Sequence, residues 1–156
     1  MKTKVLTNLL VIAAFMGMTC CDKVDDTLGG DSKVEADING SHWESSASMT
    51  YYAEAAEPVG TTMIGQSLTD FKEFIIHWKG MLSEGTVTLT DGSSDYYITW
   101  AEPTKNYNSV SGTLTISKIA SNGKVTGTFS FTGKEEDGTG TIEVTNGKFA
   151  DVVKRL

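Results

Sequence analysis

Gly112-Thr113-Leu114-Thr115-Ile116-Ser117, Gly127-Thr128-Phe129-Ser130-Phe131-Thr132 and Gly140-Thr141-Ile142-Glu143-Val144-Thr145 decide the fold class of this chain. Each stretch alternates an apolar residue with a hydroxyl or charged one. Successive side chains of a strand point to opposite faces, so period two describes a strand with one face on a core and one in water. β-Branched threonine suits the wetted face. Gly85-Thr86-Val87-Thr88-Leu89-Thr90 repeats the pattern upstream. The glycines mark strand starts or bulges. The stretches begin 27, 15 and 13 residues apart, so they are strands of one domain and not units of a solenoid.

Turn residues lie between them. Ser121-Asn122-Gly123 joins a strand over 110–119 to one over 124–133, Glu136-Asp137-Gly138 makes the next hairpin, and Asn146-Gly147 is expected to close a third before 148–153. The C-terminal third is therefore an antiparallel meander. Upstream, Asn39-Gly40 separates strands over 34–38 and 43–52, and 61–68 and 96–100 read as further strands. Residues 68–82 fit two patterns. Phe71, Phe74, Ile75, Trp78 and Leu82 have helical spacing, with Ser67 and Asp70 placed to cap a helix. Phe74, Ile76 and Trp78 equally line one face of a strand, and strand-like neighbours favour that reading. The expected architecture is an all-β antiparallel sandwich of about nine short strands, with a small β-barrel as the alternative.

The N-terminus has a different character. Lys2 and Lys4 precede an apolar run from Val5 to Met18. As a helix this run reaches about 21 Å, short of a bilayer core of about 30 Å, and it suits the apolar region of a secretion leader. The run ends Met18-Thr19-Cys20-Cys21-Asp22, which resembles a bacterial lipobox. Cys21, with Met18 three residues before it, is the expected lipidation site, and Cys20 is the alternative. This divides the chain into a signal peptide (1–20), an acidic tether (21–32) and one all-β domain (33–156). Two or more acyl chains give stable membrane anchorage. Acidic residues after the lipidated cysteine resemble the surface-export signal of Bacteroidota lipoproteins, which implies the outer face of the outer membrane.

Charge narrows the partners. The leader holds two of the 13 basic residues and none of the 20 acidic ones, leaving 11 against 20 and a net charge of −9. Nucleic acid requires a basic face and is not an expected partner. Chemistry is sparse. His42 and His77 are the only histidines, no Gly-x-Ser-x-Gly elbow occurs, and no thiol remains after lipidation. The acidic tips Asp91–Asp95 and Glu135–Gly138 lack a known calcium-loop spacing. The expectation is a protein that is not an enzyme, with no cofactor, metal site or catalytic residue. Aromatic side chains are the best binding candidates: Trp43, Tyr52 and Tyr97 could stack on sugar rings if they face outward.

The leader with Cys21, the start Asn39-Gly40-Ser41-His42-Trp43, the strand Gly127-Thr128-Phe129-Ser130-Phe131 and the ending Asn146-Gly147-Lys148-Phe149 resemble a family of small uncharacterised Bacteroidota lipoproteins. The resemblance spans most of 34–152. It implies an all-β lipoprotein and no particular chemistry. The expected function is a lipid-anchored, non-catalytic surface binding or accessory module, with glycans as a candidate ligand; the alternative is a structural or interaction protein that packs on another envelope component.

Overall fold

The structure is a computed structural model and describes residues 31–55 and 59–155. Cys20, Cys21 and the leader lie outside the described residues. Ten strands occur among those described: β1 (Lys33–Ile38), β2 (Ser41–Glu44), β3 (Thr50–Glu54), β4 (Thr61–Gln66), β5 (Glu73–Trp78), β6 (Gly85–Thr90), β7 (Tyr96–Glu102), β8 (Lys105–Ile119), β9 (Val125–Glu135) and β10 (Thr141–Lys154). One 3₁₀ turn, Ala47–Met49, precedes β3.

The ladder closes on itself. From β10 it runs through β3, β4, β5, β7 and β8, and β9 pairs with both β8 and β10. Seven strands thus form a barrel, the second of the two architectures the sequence allows. The β1–β2 hairpin extends from β10, and β6 extends from β8. Every pairing is antiparallel except the short parallel seam Val153↔Tyr51 and Lys154↔Tyr52.

The C-terminal meander is present, but its strands are long. β8 and β10 have 15 and 14 residues. Asn146-Gly147 does not close a hairpin. Asn146 has φ 53°, and the β9–β10 register shifts between Val144 and Gly147, so the pair forms a bulge inside one strand. Positive φ suits a bulge as well as a turn, and a bulge bends a strand around a closing sheet. The register of β8 against β9 also shifts twice, between Ser109 and Ser111 and between Ile116 and Lys118. Residues 43–52, expected as one strand, divide into β2 and β3 around the 3₁₀ turn. Residues 68–82 contain β5, and no helix forms there.

Asn39 and Gly40, with φ 49° and 82°, make the two-residue turn between β1 and β2. The hairpin folds over the barrel as a lid. Val34, Ala36 and Trp43 all point into the core. Gly65 of β4 permits the close approach, because a Cβ there would stand 2.5 Å from Val34 Cγ2. Ser45 Oγ accepts the Val34 N–H and meets Thr50 Oγ1 at 2.6 Å, fastening the hairpin's end to β3.

The lid's main weight is Trp43. Its ring meets Phe74 at 5.3 Å and Trp100 at 4.9 Å, both edge to face. Phe74 in turn packs on Phe129 at 5.0 Å. Edge-to-face pairs of this kind contribute about 0.5–1.5 kcal/mol each beyond area burial. The Trp43 Nε1 is buried without a hydrogen-bond partner. Burial pushes the Asp70 carboxyl up, but the Ser67 hydroxyl, the Lys72 N–H and the Trp43 indole together hold it below its ordinary value.

Candidate functional site

The cross-strand register sorts side chains into inward and outward rows. Tyr52, Met63, Ile76 and Ile98 form an inward row across β3, β4, β5 and β7, and all are buried. One residue along, Tyr51, Ile64, Ile75 and Thr99 form an outward row. Beside it, Ala53, Thr62, His77 and Tyr97 form a second. The outward aromatic positions are thus Tyr51, His77 and Tyr97.

This placement separates the three aromatic candidates. Trp43 is only 8% exposed and Tyr52 4%. Trp43 is spent on the core, and the Tyr52 hydroxyl donates to the Gly123 carbonyl at 2.8 Å, tying β3 to the β8–β9 turn. Neither ring can meet a sugar, because its faces already touch protein. Tyr97 points outward and is half-buried.

Tyr97 is held rigidly. Its ring stacks on His77 at 4.8 Å with 14° between the planes. The Nδ1 of His77 lies 3.4 Å from the Thr62 hydroxyl. Gly60 supports the imidazole from the next loop. It has φ +76°, and a Cβ there would come within 2.9 Å of the imidazole and 2.7 Å of the Trp78 carbonyl. Burial pushes the His77 pKa down, although Asp95 opposes the shift. Burial thus favours the neutral form of the imidazole, which offers Tyr97 a flat support.

An open cleft of about 350 Å³ lies against Tyr97, lined by Asp91, Gly92, Ser93, Ser94, Asn108 and Ser109. The β6–β7 loop supplies the first four and β8 the last two. Asn108 Oδ1 accepts the Thr99 hydroxyl at 2.7 Å, which fixes the amide's orientation. Ser109 Oγ accepts the Ile98 N–H at 3.0 Å. The cleft thus joins one supported aromatic ring to a carboxylate, hydroxyls and an amide. Its size falls in the range of small-molecule sites, roughly 300–1,000 Å³. Tyr51 is the other outward tyrosine, but the Arg155 guanidinium sits 4.6 Å above its ring. The cleft beside Tyr51 is smaller, about 180 Å³.

The other candidate chemistry disperses. Asp95 pairs with Lys79 at 3.0 Å and Glu135 with Lys105 at 3.0 Å, so each acidic tip is partly neutralised. Among the described residues, Glu35, His42 and Glu44 have donor atoms within 4.8 Å of one another, on the outer face of the β1–β2 hairpin. Lys33 already occupies that cluster, with its ammonium 2.8 Å from Glu35 and 2.6 Å from Glu44. These hydrogen bonds hold both carboxyls below their ordinary value and raise Lys33. A metal ion would have to displace the ammonium. His42 also lies 3.3 Å from Asp37, on the same exposed face.

Two features escaped sequence reading. The His77–Tyr97 stack joins residues twenty apart, and no local pattern announces it. The Asp91–Ser94 loop was legible as an acidic tip but not as a cleft wall, because β8 supplies the opposite wall.

No curated protein and no solved structure matches the chain. A family described as "Domain of unknown function (DUF6252)" matches residues 31–153, which include every described strand but the last residue of β10. The chain belongs to this family.

Proposed function

We propose that the protein is a lipid-anchored, non-catalytic binding module of the cell envelope, and that it takes glycans at the Tyr97 cleft. The observation that carries this reading is the outward Tyr97 ring, backed by His77 and bordered by Asp91, Ser93, Ser94 and Asn108. A sugar ring presents an apolar face of C–H groups and an equatorial belt of hydroxyls. An aromatic ring beside fixed polar groups matches both. Anchorage rests on the leader pattern and on Cys21, with Cys20 as the alternative, and the acidic residues after it point to the outer surface of the outer membrane.

A glycan array probed with the mature chain tests the binding reading. Tyr97→Ala should keep its circular dichroism and weaken bound glycans tenfold or more, as loss of a central aromatic anchor does. Tyr51→Ala should bind as wild type. Equal binding by wild type and Tyr97→Ala would exclude the cleft. Palmitate labelling of Cys21→Ala and Cys20→Ala cells tests the anchor: labelling should vanish with Cys21→Ala alone.

A second reading is an interaction protein that docks on another envelope component. It is favoured by Ile64 and Ile75, which are cross-strand partners on the outward face and only half-buried. Surface cross-linking from a residue beside this pair would distinguish the two readings.

A further inference from the structure

Phe71 has φ 56°, a conformation that bulky L residues rarely adopt, and its side chain is 66% exposed. Such backbone strain usually marks a functional position, because burial does not repay it here. Leu68, in the same β4–β5 loop, is 52% exposed. The loop holding them is closely bonded. The Ser67 N–H donates to the Lys72 carbonyl at 2.9 Å, the Thr69 N–H to Ser67 Oγ at 3.3 Å and the Lys72 N–H to Asp70 Oδ1 at 3.3 Å. Two large apolar side chains are thus presented to solvent on a fixed frame.

The loop lies at the end of the barrel where the chain leads in from its N-terminal part. Ser46 Oγ accepts the Leu68 N–H at 3.1 Å, and the Ser46 N–H donates to the Gln66 carbonyl at 2.9 Å. The preceding Ser45 bonds Val34, and Asp31, Ser32, Ser45 and Ala47 line one cleft. Whatever their path, the ten residue steps from Cys21 to Asp31 span at most roughly 35 Å. A lipid on Cys21 therefore keeps the start of β1, at this end of the barrel, within roughly 35 Å of the bilayer.

We infer that the Leu68–Phe71 loop is a membrane-contact point that inserts into the bilayer interface and sets the orientation of the lipid-anchored barrel. The inference rests on the anchor reading and deepens it. The contact is apolar and not electrostatic: the mature chain has a net charge of −9, and Lys72 beside the loop is engaged by Glu102 at 3.4 Å. With Phe71 in the interface, the Tyr97 cleft on the barrel wall stays open to solvent.

The test uses the full lipidated protein, purified from cells labelled with palmitate and reconstituted into phosphatidylcholine vesicles containing a brominated-acyl lipid. Phe71→Trp is compared with Val59→Trp. Val59 is equally exposed at 66% but lies at the other end of β4. The native tryptophans Trp43, Trp78 and Trp100 are buried and give a common background. The expected result is at least twofold quenching of the Phe71→Trp increment, unchanged in 0.5 M salt (about a 4 Å screening length), with little quenching of the Val59→Trp increment. A labelled protein whose two increments are quenched equally, or not at all, overturns the inference and leaves the anchor reading standing. Absence of palmitate label overturns both. Quenching that salt removes would replace apolar insertion with an electrostatic contact and also overturns it. Loss of a surface cross-link to another protein in Phe71→Ser cells, without bromolipid quenching of Phe71→Trp, would assign the loop to a protein partner instead.

Discussion

Replacing Trp43 by alanine should loosen the β1–β2 lid over the barrel core and leave the candidate site alone. The indole is 8% exposed and lies edge-on to Phe74 and Trp100. Trp→Ala in a packed core typically costs about 3–5 kcal/mol. The indole nitrogen has two opposing effects, which place the figure at the low end of that range: its buried N–H lacks a hydrogen-bond partner, a cost the substitution recovers, but it also favours the charged Asp70 carboxyl, a contribution the substitution removes. About 3 kcal/mol is the expected loss. Trp43→Phe keeps a ring against Phe74 and Trp100 and removes the unsatisfied N–H, so its loss should be about 1 kcal/mol or less. Urea unfolding of the mature chain, followed by circular dichroism and by Trp78 and Trp100 fluorescence, measures both. A midpoint shift at constant slope reports stability alone. Glycan binding by folded Trp43→Ala should match wild type, the converse of Tyr97→Ala. A loss below 1 kcal/mol for Trp43→Ala would refute the reasoning, since the hairpin would then not be closing the core. Trp43→Phe losing as much as Trp43→Ala would refute the account of the indole nitrogen.

Other substitutions probe the frame of the site and its charges. Gly60→Ala should cost about 1–3 kcal/mol, from positive φ and the clash with Trp78 and His77, and should weaken glycan binding by unseating Tyr97; a thermal melt and the glycan array together read this. Glu54 accepts a hydrogen bond from Lys154 at 2.9 Å and one from the Leu82 N–H at 2.9 Å, and these hold its pKa below the ordinary 4.5. A carboxyl with a depressed folded pKa stabilises fully above its unfolded value, and that contribution fades as pH falls from about 4.5 through the folded value. Glu54→Gln should therefore lose about 1–2 kcal/mol at pH 7 and show a shallower stability decline below pH 4.5 in urea titrations. An unchanged pH profile would remove Glu54 from the acid transition.

Much of the fold was legible in the sequence because its code is local. Alternation over Gly127–Thr132 or Thr141–Thr145 requires strand, and Asn39-Gly40 and Asn122-Gly123 require tight turns, whatever the rest of the chain does. The meander β8–β9–β10 joins neighbours in sequence, so it too was visible. The same local logic misread Asn146-Gly147, since positive φ serves turns and bulges alike and only the partner strand's register tells them apart.

Tertiary structure decided the rest. Barrel or sandwich depends on whether the C-terminal end of β10 meets β3, a contact between residues about a hundred apart at Val153↔Tyr51. No local pattern encodes such a contact. The inward face was equally undetermined in strands with aromatics at neighbouring positions. Tyr51-Tyr52 and Tyr96-Tyr97 each carry two tyrosines on opposite faces, and only packing selects the inward one: Tyr52 is buried beside Met63, and Tyr96 turns its ring against Trp78 at the core's edge. Sequence alone thus determined that these residues form strands and which of them share a face. Closure of the barrel determined which face meets water, and so made Tyr97 a surface ring while Trp43 and Tyr52 became core.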